Sequence, residues 1–160
     1  MSDTHDDGAA DETTDRYVRH AIGLAERAVE HGNTPFGSLL VADGEVIREA
    51  ENTTVTDDDV SAHPEFKLAR WAARELETDE RAATTMYTST EPCPMCASAM
   101  HYAGLGRVVF SVAGSTLAEH RDGVIEIPCA EVIERGGGDT GVEGPVLEAE
   151  GLAVHGLDES

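Results

Sequence analysis

A histidine, a glutamate and two cysteines between His63 and Cys96 form a pattern that could bind a metal and move protons. The triplet His63-Pro64-Glu65 is followed, after 26 intervening residues, by Pro92-Cys93-Pro94-Met95-Cys96. One His and a Cys-x-x-Cys pair supply three of the four ligands of tetrahedral zinc, and three protein ligands with one open position are typical of catalytic zinc sites. A water molecule would complete the set. Glu65 is not needed as a ligand, so it is free to carry protons to and from that water.

The prolines beside these residues predict how they are held. Pro64 suits the first position of a helix, where its missing N–H costs nothing, and it would place Glu65 in the first turn. Pro92 predicts a second helix start, from which Cys93 and Cys96 would point from one face toward one metal. A helix N-terminus also favours the thiolate form of both cysteines. Two helix starts are thus predicted to meet around one ion.

The same residues allow other interpretations. A single Cys-x-x-Cys also occurs in redox pairs and as half of a structural zinc site. A structural zinc needs a fourth protein ligand, and His101, His120 and Cys129 are available for that role. The joint pattern, with a helix, a strand and a second helix predicted over it, favours the catalytic interpretation.

The composition limits the partners of the chain. Its 160 residues include 32 acidic and 11 basic ones, for a net charge of −21. Nucleic-acid binding depends on Lys and Arg that neutralise phosphates, so a nucleic-acid partner is not expected. Acidic, lysine-poor chains are also typical of salt-loving organisms, in which molar salt screens charges within about 3 Å. We therefore predict a halophilic protein, for which net charge is a weak guide to partners.

Cysteine usage and hydropathy indicate the compartment. Two of the three cysteines are assigned to the metal, which leaves Cys129 unpaired and suits a reducing environment. No stretch approaches 18 apolar residues, and no basic region followed by an apolar run opens the chain. We expect a cytoplasmic protein with no membrane partner. Residues 1–15, acidic and small, predict a disordered tail, and residues 16–160 predict a single zinc-dependent domain.

Hydrophobic periodicity predicts an α/β fold. Asp43-Gly44 between two apolar runs is a strong hairpin signal, and Gly37 would let another element approach the first strand closely. Strands that alternate with helices indicate a largely parallel sheet covered on both sides. The predicted helices span 16–31, 63–76, 92–103, 130–135 and 145–155, and the predicted strands 36–42, 45–49, 84–88, 107–112 and 140–142.

The motifs resemble those of the cytidine/deoxycytidylate deaminase-like superfamily, in the branch with guanine, cytosine and tRNA adenosine deaminases. The resemblance covers about residues 16–112, and its specific part is the zinc nucleobase-deaminase signature. It implies a three-layer α/β/α sandwich around a mixed, largely parallel five-stranded sheet, assembled as a homodimer or higher homo-oligomer. The matching stretches are Pro35-Phe36-Gly37, Asn52, His63-Pro64-Glu65 and Ser89 to Cys96 (STEPCPMC).

The resemblance also implies the reaction. His63, Cys93 and Cys96 would hold one Zn²⁺ per chain, and Glu65 would be the catalytic residue that moves protons between a catalytic water and the base. The products would be ammonia and an oxo-base.

Three further residues resemble substrate contacts of the family. Asn52 would hydrogen-bond the base, Phe36 would lie against its ring, and the Ser89 carbonyl would face the exocyclic amine. Each has a plainer interpretation, because Asn is common in turns, strand aromatics pack in cores and a Ser hydroxyl can be incidental.

The chain departs from the family pattern in two places. Pro64 stands where guanine and tRNA deaminases commonly carry alanine. No Phe, Tyr or Trp follows Phe110, although several relatives close the pocket with a C-terminal aromatic residue. Leu152 and His155, or another subunit, are candidates for that place. Asp122 is a candidate to contact a purine edge, although most acids of so acidic a chain lie on the surface.

Three functions follow for comparison. The first is deamination of a small-molecule nucleobase or nucleoside, with guanine slightly favoured over cytosine by the Pro35-Phe36-Gly37 and Pro92 to Cys96 motifs. The margin is small, since one pocket contact can reverse substrate choice. The second is tRNA adenosine deamination, which needs a basic RNA-facing surface that the sequence does not show. The third is a non-catalytic binding module with a structural zinc, in which Glu65 would be dispensable.

Overall fold

A five-stranded mixed sheet organises the chain. The structure is a computed structural model that describes the backbone of residues 3–156 and the side chains of residues 11–156. The strands lie in the order β2-β1-β3-β4-β5. They are β1 (Gly37–Ala42), β2 (Glu45–Glu51), β3 (Thr85–Thr90), β4 (Arg107–Val112) and β5 (Gly141–Glu143).

The strand directions correct one part of the prediction. β1 pairs antiparallel with β2 and with β3, whereas β3–β4 and β4–β5 are parallel. The mixed five-stranded sheet is therefore confirmed, but only half of its pairings are parallel. The reason is the hairpin. Asp43 and Gly44 both adopt positive φ, 53° and 75°, so β2 must return antiparallel beside β1.

Helices cover both faces of the sheet. Two of the helices, α3 and α5, were not predicted, because each is five residues long and too short to show periodicity. The helices are α1 (Asp3–Glu30), α2 (Pro64–Glu75), α3 (Thr78–Ala82), α4 (Pro94–Ala103), α5 (Gly114–Ala118), α6 (Cys129–Arg135) and α7 (Glu148–Val154).

Neighbouring strand residues face opposite layers. Leu40, Met86 and Val108 pack against apolar side chains of α2, α4 and α6. The adjacent Tyr87 and Val109 pack against α1 on the other face. This alternation places two cores around one sheet, and the predicted three-layer α/β/α sandwich is confirmed.

The N-terminal prediction is wrong over residues 3–15, which form the first turns of α1 rather than a disordered tail. Extending an existing helix needs only propagation, which the nucleus at residues 16–30 has already made possible. The Thr14 side chain is buried, so part of this extension contacts the protein. Met1 and Ser2 lie outside the described residues.

The sheet directions bring four chain segments to one edge. The register pairs Gly37 with Glu51 and Thr90 with Val112. The start of β1 and the ends of β2, β3 and β4 therefore meet at this edge, which is where open α/β sheets bind ligands. Within residues 3–156, no helix combines the length and the apolar character needed to cross a bilayer.

Candidate active site

Two helix starts hold the three predicted metal ligands. His63 is the N-cap of α2 and Pro64 its first residue, as predicted. The second helix starts later than predicted. Pro94, not Pro92, is the first residue of α4, and Cys93 is its N-cap. Pro94 fits that position because the first turn of a helix needs no N–H donor there, and Cys93 keeps the extended backbone of an N-cap.

The three ligand atoms lie together. His63 Nδ1 is 3.7 Å from Cys93 Sγ and 3.5 Å from Cys96 Sγ, and the two sulfurs are 3.6 Å apart. A tetrahedral zinc with ordinary bond lengths separates two sulfur ligands by about 3.8 Å and a sulfur from a nitrogen by about 3.6 Å. The donor atoms and their separations therefore fit zinc. Within the described side chains, no fourth His, Cys, Asp or Glu joins the group.

Hydrogen bonds among His63, Cys93 and Cys96 shift the pKa values of these side chains and favour one thiolate, which is the form that binds a metal cation. The hydrogen bond between the Cys93 and Cys96 sulfurs lowers the pKa of Cys93 to about 4 and raises the pKa of Cys96. The hydrogen bond to Cys93 likewise raises the pKa of His63. One thiolate is thus already favoured, and a metal would displace the remaining protons.

Glu65 is buried beside this group. Its side chain is in the first turn of α2, two residues past His63, and the residue is 4% exposed. Burial raises its pKa to about 7. A divalent cation at the ligand group would lower that pKa from there, because it favours the carboxylate. The Glu65 carboxyl group can therefore hold or release a proton where it lines the cavity.

A cavity of about 370 Å³ opens above the ligand group. Its walls come from the residue before β1, the loop after β3 and the segment 114–128, and its lining includes His63, Glu65 and Cys93. Segment 114–128 supplies most of the lining. It follows the last strongly patterned strand and has no periodicity, so sequence reasoning could not place it.

The predicted substrate residues fall into two groups. Phe36 and Asp122 line the cavity. His155 lies behind Phe36, with ring centroids 5.4 Å apart in an edge-to-face contact, and it does not line the cavity. The predicted lid residue is therefore placed at the back of the aromatic wall. Leu152 is buried in the core with Val112.

Asn52 and Ser89 are buried and do not line the cavity. The Asn52 amide donates to the Thr34 hydroxyl, and its oxygen accepts from Thr54 N at 3.1 Å. The Ser89 hydroxyl accepts from Gly37 N at 3.1 Å. Asn52 thus connects the loops before β1 and after β2, whereas Ser89 connects β3 to the start of β1. A contact with substrate stays a prediction for both.

Glu91 and Arg121 are the residues that sequence reasoning missed. The Glu91 carboxylate accepts from Gly114 N at 2.8 Å and from Cys129 N at 2.9 Å, so it ties both ends of segment 114–128 to the loop that carries Cys93. Arg121 lines the cavity. Its only sequence signal is its scarcity, as one of 11 basic residues.

Comparison with known families gives a match over residues 11–112. The matching family is described as the cytidine and deoxycytidylate deaminase zinc-binding region. The match includes both halves of the metal group and the elements from α1 to β4. It agrees with the extent of the resemblance predicted from the motifs.

Three curated relatives differ in the substrate that they are named for. The tRNA-specific adenosine deaminase of Bacillus subtilis is 38% identical over 94 residues, 59% of this chain and 58% of that protein. The probable cytosine deaminase of Schizosaccharomyces pombe is 29% identical over 144 residues, 87% and 88% of the two chains. The guanine deaminase of B. subtilis is 36% identical over 107 residues, 66% and 65%. The chain thus spans less than two thirds of two of these relatives.

The solved structure of the B. subtilis guanine deaminase has the same fold. It superimposes with a TM-score of 0.58 at 34% identity, over 65% of this chain and 67% of that chain. The sequence and the fold thus agree on one family.

Proposed function

Because the chain belongs to the cytidine and deoxycytidylate deaminase zinc-binding family, we propose that it is a zinc-dependent aminohydrolase that releases ammonia from a small nucleobase or nucleoside. The observation that carries the proposal is the buried Glu65 beside the three-ligand group of His63, Cys93 and Cys96. Three protein ligands leave a coordination position for water, which is the arrangement of a catalytic zinc.

The proposed roles follow from where each residue lies. Bound zinc would supply a Lewis acid that lowers the pKa of a water molecule. The Glu65 carboxylate would take a proton from the attacking water, pass it to a ring nitrogen and then protonate the leaving amine. Phe36 would provide an apolar wall for the ring, and Glu91 would keep segment 114–128 in place over the cavity.

For the substrate, we propose guanine ahead of cytosine by a small margin. The Pro35-Phe36-Gly37 and Pro92 to Cys96 motifs support guanine, as does the 36% identity to a guanine deaminase. The relative named for cytosine aligns over more of the chain. An activity assay with both bases is therefore needed to distinguish guanine from cytosine.

The test is ammonia release by zinc-loaded protein in high KCl, with guanine, cytosine, adenine and their nucleosides and nucleotides. We expect Glu65→Gln to retain one zinc per chain and to lose about 10²- to 10⁴-fold in rate, because a positioned proton carrier contributes that much. Glu75→Gln, at an exposed glutamate in the last turn of α2, is the matched control and should keep its rate. A Glu65→Gln protein with full activity would contradict the proposal.

Deamination of adenosine in tRNA is the second candidate, favoured by the 38% identity to a tRNA-specific enzyme. Gel-shift titration with tRNA at rising salt distinguishes it, since binding that survives high salt would support this function. A non-catalytic module is the third. It would need a fourth protein ligand, and His101, His120 and Cys129 stay outside the metal group.

We further propose a cytoplasmic homo-oligomer. Tyr102 and Ile125 are hydrophobic side chains, 84% and 62% exposed, and both are available for contact with a second subunit. Light scattering on the zinc-loaded protein measures the oligomeric state.

A further inference from the structure

Arg121 is the single arginine or lysine among the residues that line the cavity. In the described part of the chain, no carboxylate lies within 4.0 Å of its guanidinium. Four other arginines form an ion pair, namely Arg19, Arg27, Arg107 and Arg135. Within the described residues, Arg121 shares the lack of an ion pair with other arginines, so what distinguishes it is its place in the cavity lining.

The Arg121 guanidinium is held over an aromatic ring. Its central carbon lies 5.7 Å from the centroid of the Phe36 ring. A cation–π contact uses the face of the guanidinium and leaves its N–H donors free at the edges. No hydrogen bond from this side chain to another described residue competes for those donors.

His155, which lies behind Phe36, does not add a second positive charge beside Arg121. Burial, followed by the charge of Arg121, lowers the pKa of His155 to about 4. His155 is therefore neutral near pH 7, and its buried Nδ1 has no hydrogen-bond partner among the described residues. One wall of the cavity thus presents a planar donor group and an aromatic ring. The neutral imidazole of His155 lies behind that ring.

The remaining charges make this donor group directional. Glu65, Glu91, Asp122 and Glu126 also line the cavity. Apart from the proposed zinc at His63, Cys93 and Cys96, Arg121 is the one cationic group of the lining that would attract a ligand oxygen, and ionised Asp122 and Glu126 would repel it. An acceptor oxygen that does not face the metal would therefore be directed toward Arg121.

We propose that Arg121 is a specificity-determining residue that recognises a hydrogen-bond-accepting oxygen of the substrate, either a ring carbonyl of the base or a phosphate. A guanidinium offers only donors, in a planar fork that suits both groups. The inference rests on the proposed function, because it concerns the substrate of the same site. It predicts discrimination against adenine, whose ring carries no oxygen.

Four probes separate the two sources of oxygen. Guanine has a ring carbonyl, AMP has a phosphate, GMP has both and adenine has neither. Their dissociation constants are measured by equilibrium dialysis on zinc-loaded Glu65→Gln protein, with and without Arg121→Gln. Loss of a hydrogen bond to a charged donor should weaken binding by about ten- to hundred-fold. A loss for guanine and GMP identifies a carbonyl, and a loss for GMP and AMP identifies a phosphate.

Two controls accompany this experiment. Arg74→Gln removes an exposed arginine of α2 that does not line the cavity, and it should change none of the four constants. Thermal unfolding confirms that Arg121→Gln is folded, which we expect since Arg121 is half-buried on a segment outside helices and strands.

Several outcomes would overturn the inference. They are unchanged affinities for all four probes, an equal loss that includes adenine, and no binding of any probe by the parent protein. Ammonia release by the wild-type protein tests the proposed function separately. An active wild type with an indifferent Arg121 would remove only this inference.

Discussion

At the scale of single residues, burial and hydrogen bonding set the chemistry of the site. Glu65 and Cys93 both line the cavity, yet their pKa values move in opposite directions, to about 7 and about 4. Desolvation dominates for Glu65, whereas the hydrogen bond between Cys93 and Cys96 dominates for Cys93. The site thus offers a thiolate to a metal and a carboxyl group that can exchange a proton.

His155 makes the stability of the protein depend on pH. Its folded pKa of about 4 lies below the ordinary value of 6.5. Between pH 6.5 and 4 the imidazole is protonated in the unfolded chain but stays neutral in the folded chain. The free energy of unfolding therefore decreases as the pH falls from about 6.5 to 4. We expect His155→Gln to unfold with a weaker pH dependence over that window. Urea unfolding at a series of pH values measures it, and parallel curves for the two proteins would contradict the prediction.

At the scale of elements, turns and close contacts decide how helices and strands meet. A Cβ built on Gly37 would lie 2.4 Å from Ala25 N and 2.6 Å from Ala21 O, both in α1. The predicted close approach at Gly37 is confirmed, and the approaching element is α1. The same residue donates its N–H to Ser89 at the end of β3. Gly37 thus joins the packing of α1 to the edge of the sheet that carries the site.

Two glycine substitutions should have opposite effects. Gly37→Ala should lower the free energy of unfolding by about 1–3 kcal/mol or more, because α1 would have to move away from β1. Gly23→Ala is the matched control. Gly23 is exposed in the interior of α1 with nothing within 4 Å of an added Cβ, so alanine should stabilise the helix by about 0.5–1 kcal/mol. Chemical denaturation measures both, and a stable Gly37→Ala protein would refute the packing argument.

At the scale of the whole molecule, the fold brings residues that are distant in the chain together at one end of the strands. Phe36, Glu65, Cys93 and Arg121 come from four separate segments and line one cavity. α2 and α4 share the core on one face, so the two helix starts are fixed relative to each other before any metal binds. The site is therefore largely preorganised by packing.

Zinc should nonetheless stabilise the whole fold. Zinc at about 1,000 times its dissociation constant would contribute about 4 kcal/mol. For a chain of this size, we expect the thermal midpoint to fall by roughly 8–16 °C when a chelator removes the metal. Differential scanning calorimetry measures the shift. Cys129→Ser should keep the shift and Cys93→Ser should abolish it, and equal shifts in both variants would show that the metal binds elsewhere.

Local sequence patterns predicted the hairpin and most of the helices and strands, and they singled out the proposed metal ligands His63, Cys93 and Cys96 and the proposed proton carrier Glu65. These features are local. Proline at a helix start, Asp-Gly at a turn and apolar periodicity each act over a few residues, so their consequences can be predicted without the fold. Two wrong predictions also concern local structure. The second helix begins at Pro94 rather than Pro92, and residues 3–15 extend α1 although they offer little to bury.

The tertiary structure alone decided which distant residues share the cavity. The Glu91 carboxylate binds two backbone N–H groups that are 23 and 38 residues away, and the position of Arg121 over Phe36 depends on where segment 114–128 folds back. The fold also places His155 behind Phe36 rather than over the cavity, and the Asn52 amide hydrogen-bonds to Thr34. No local pattern encodes these contacts, because they depend on strand directions and on packing between elements that are far apart in the chain.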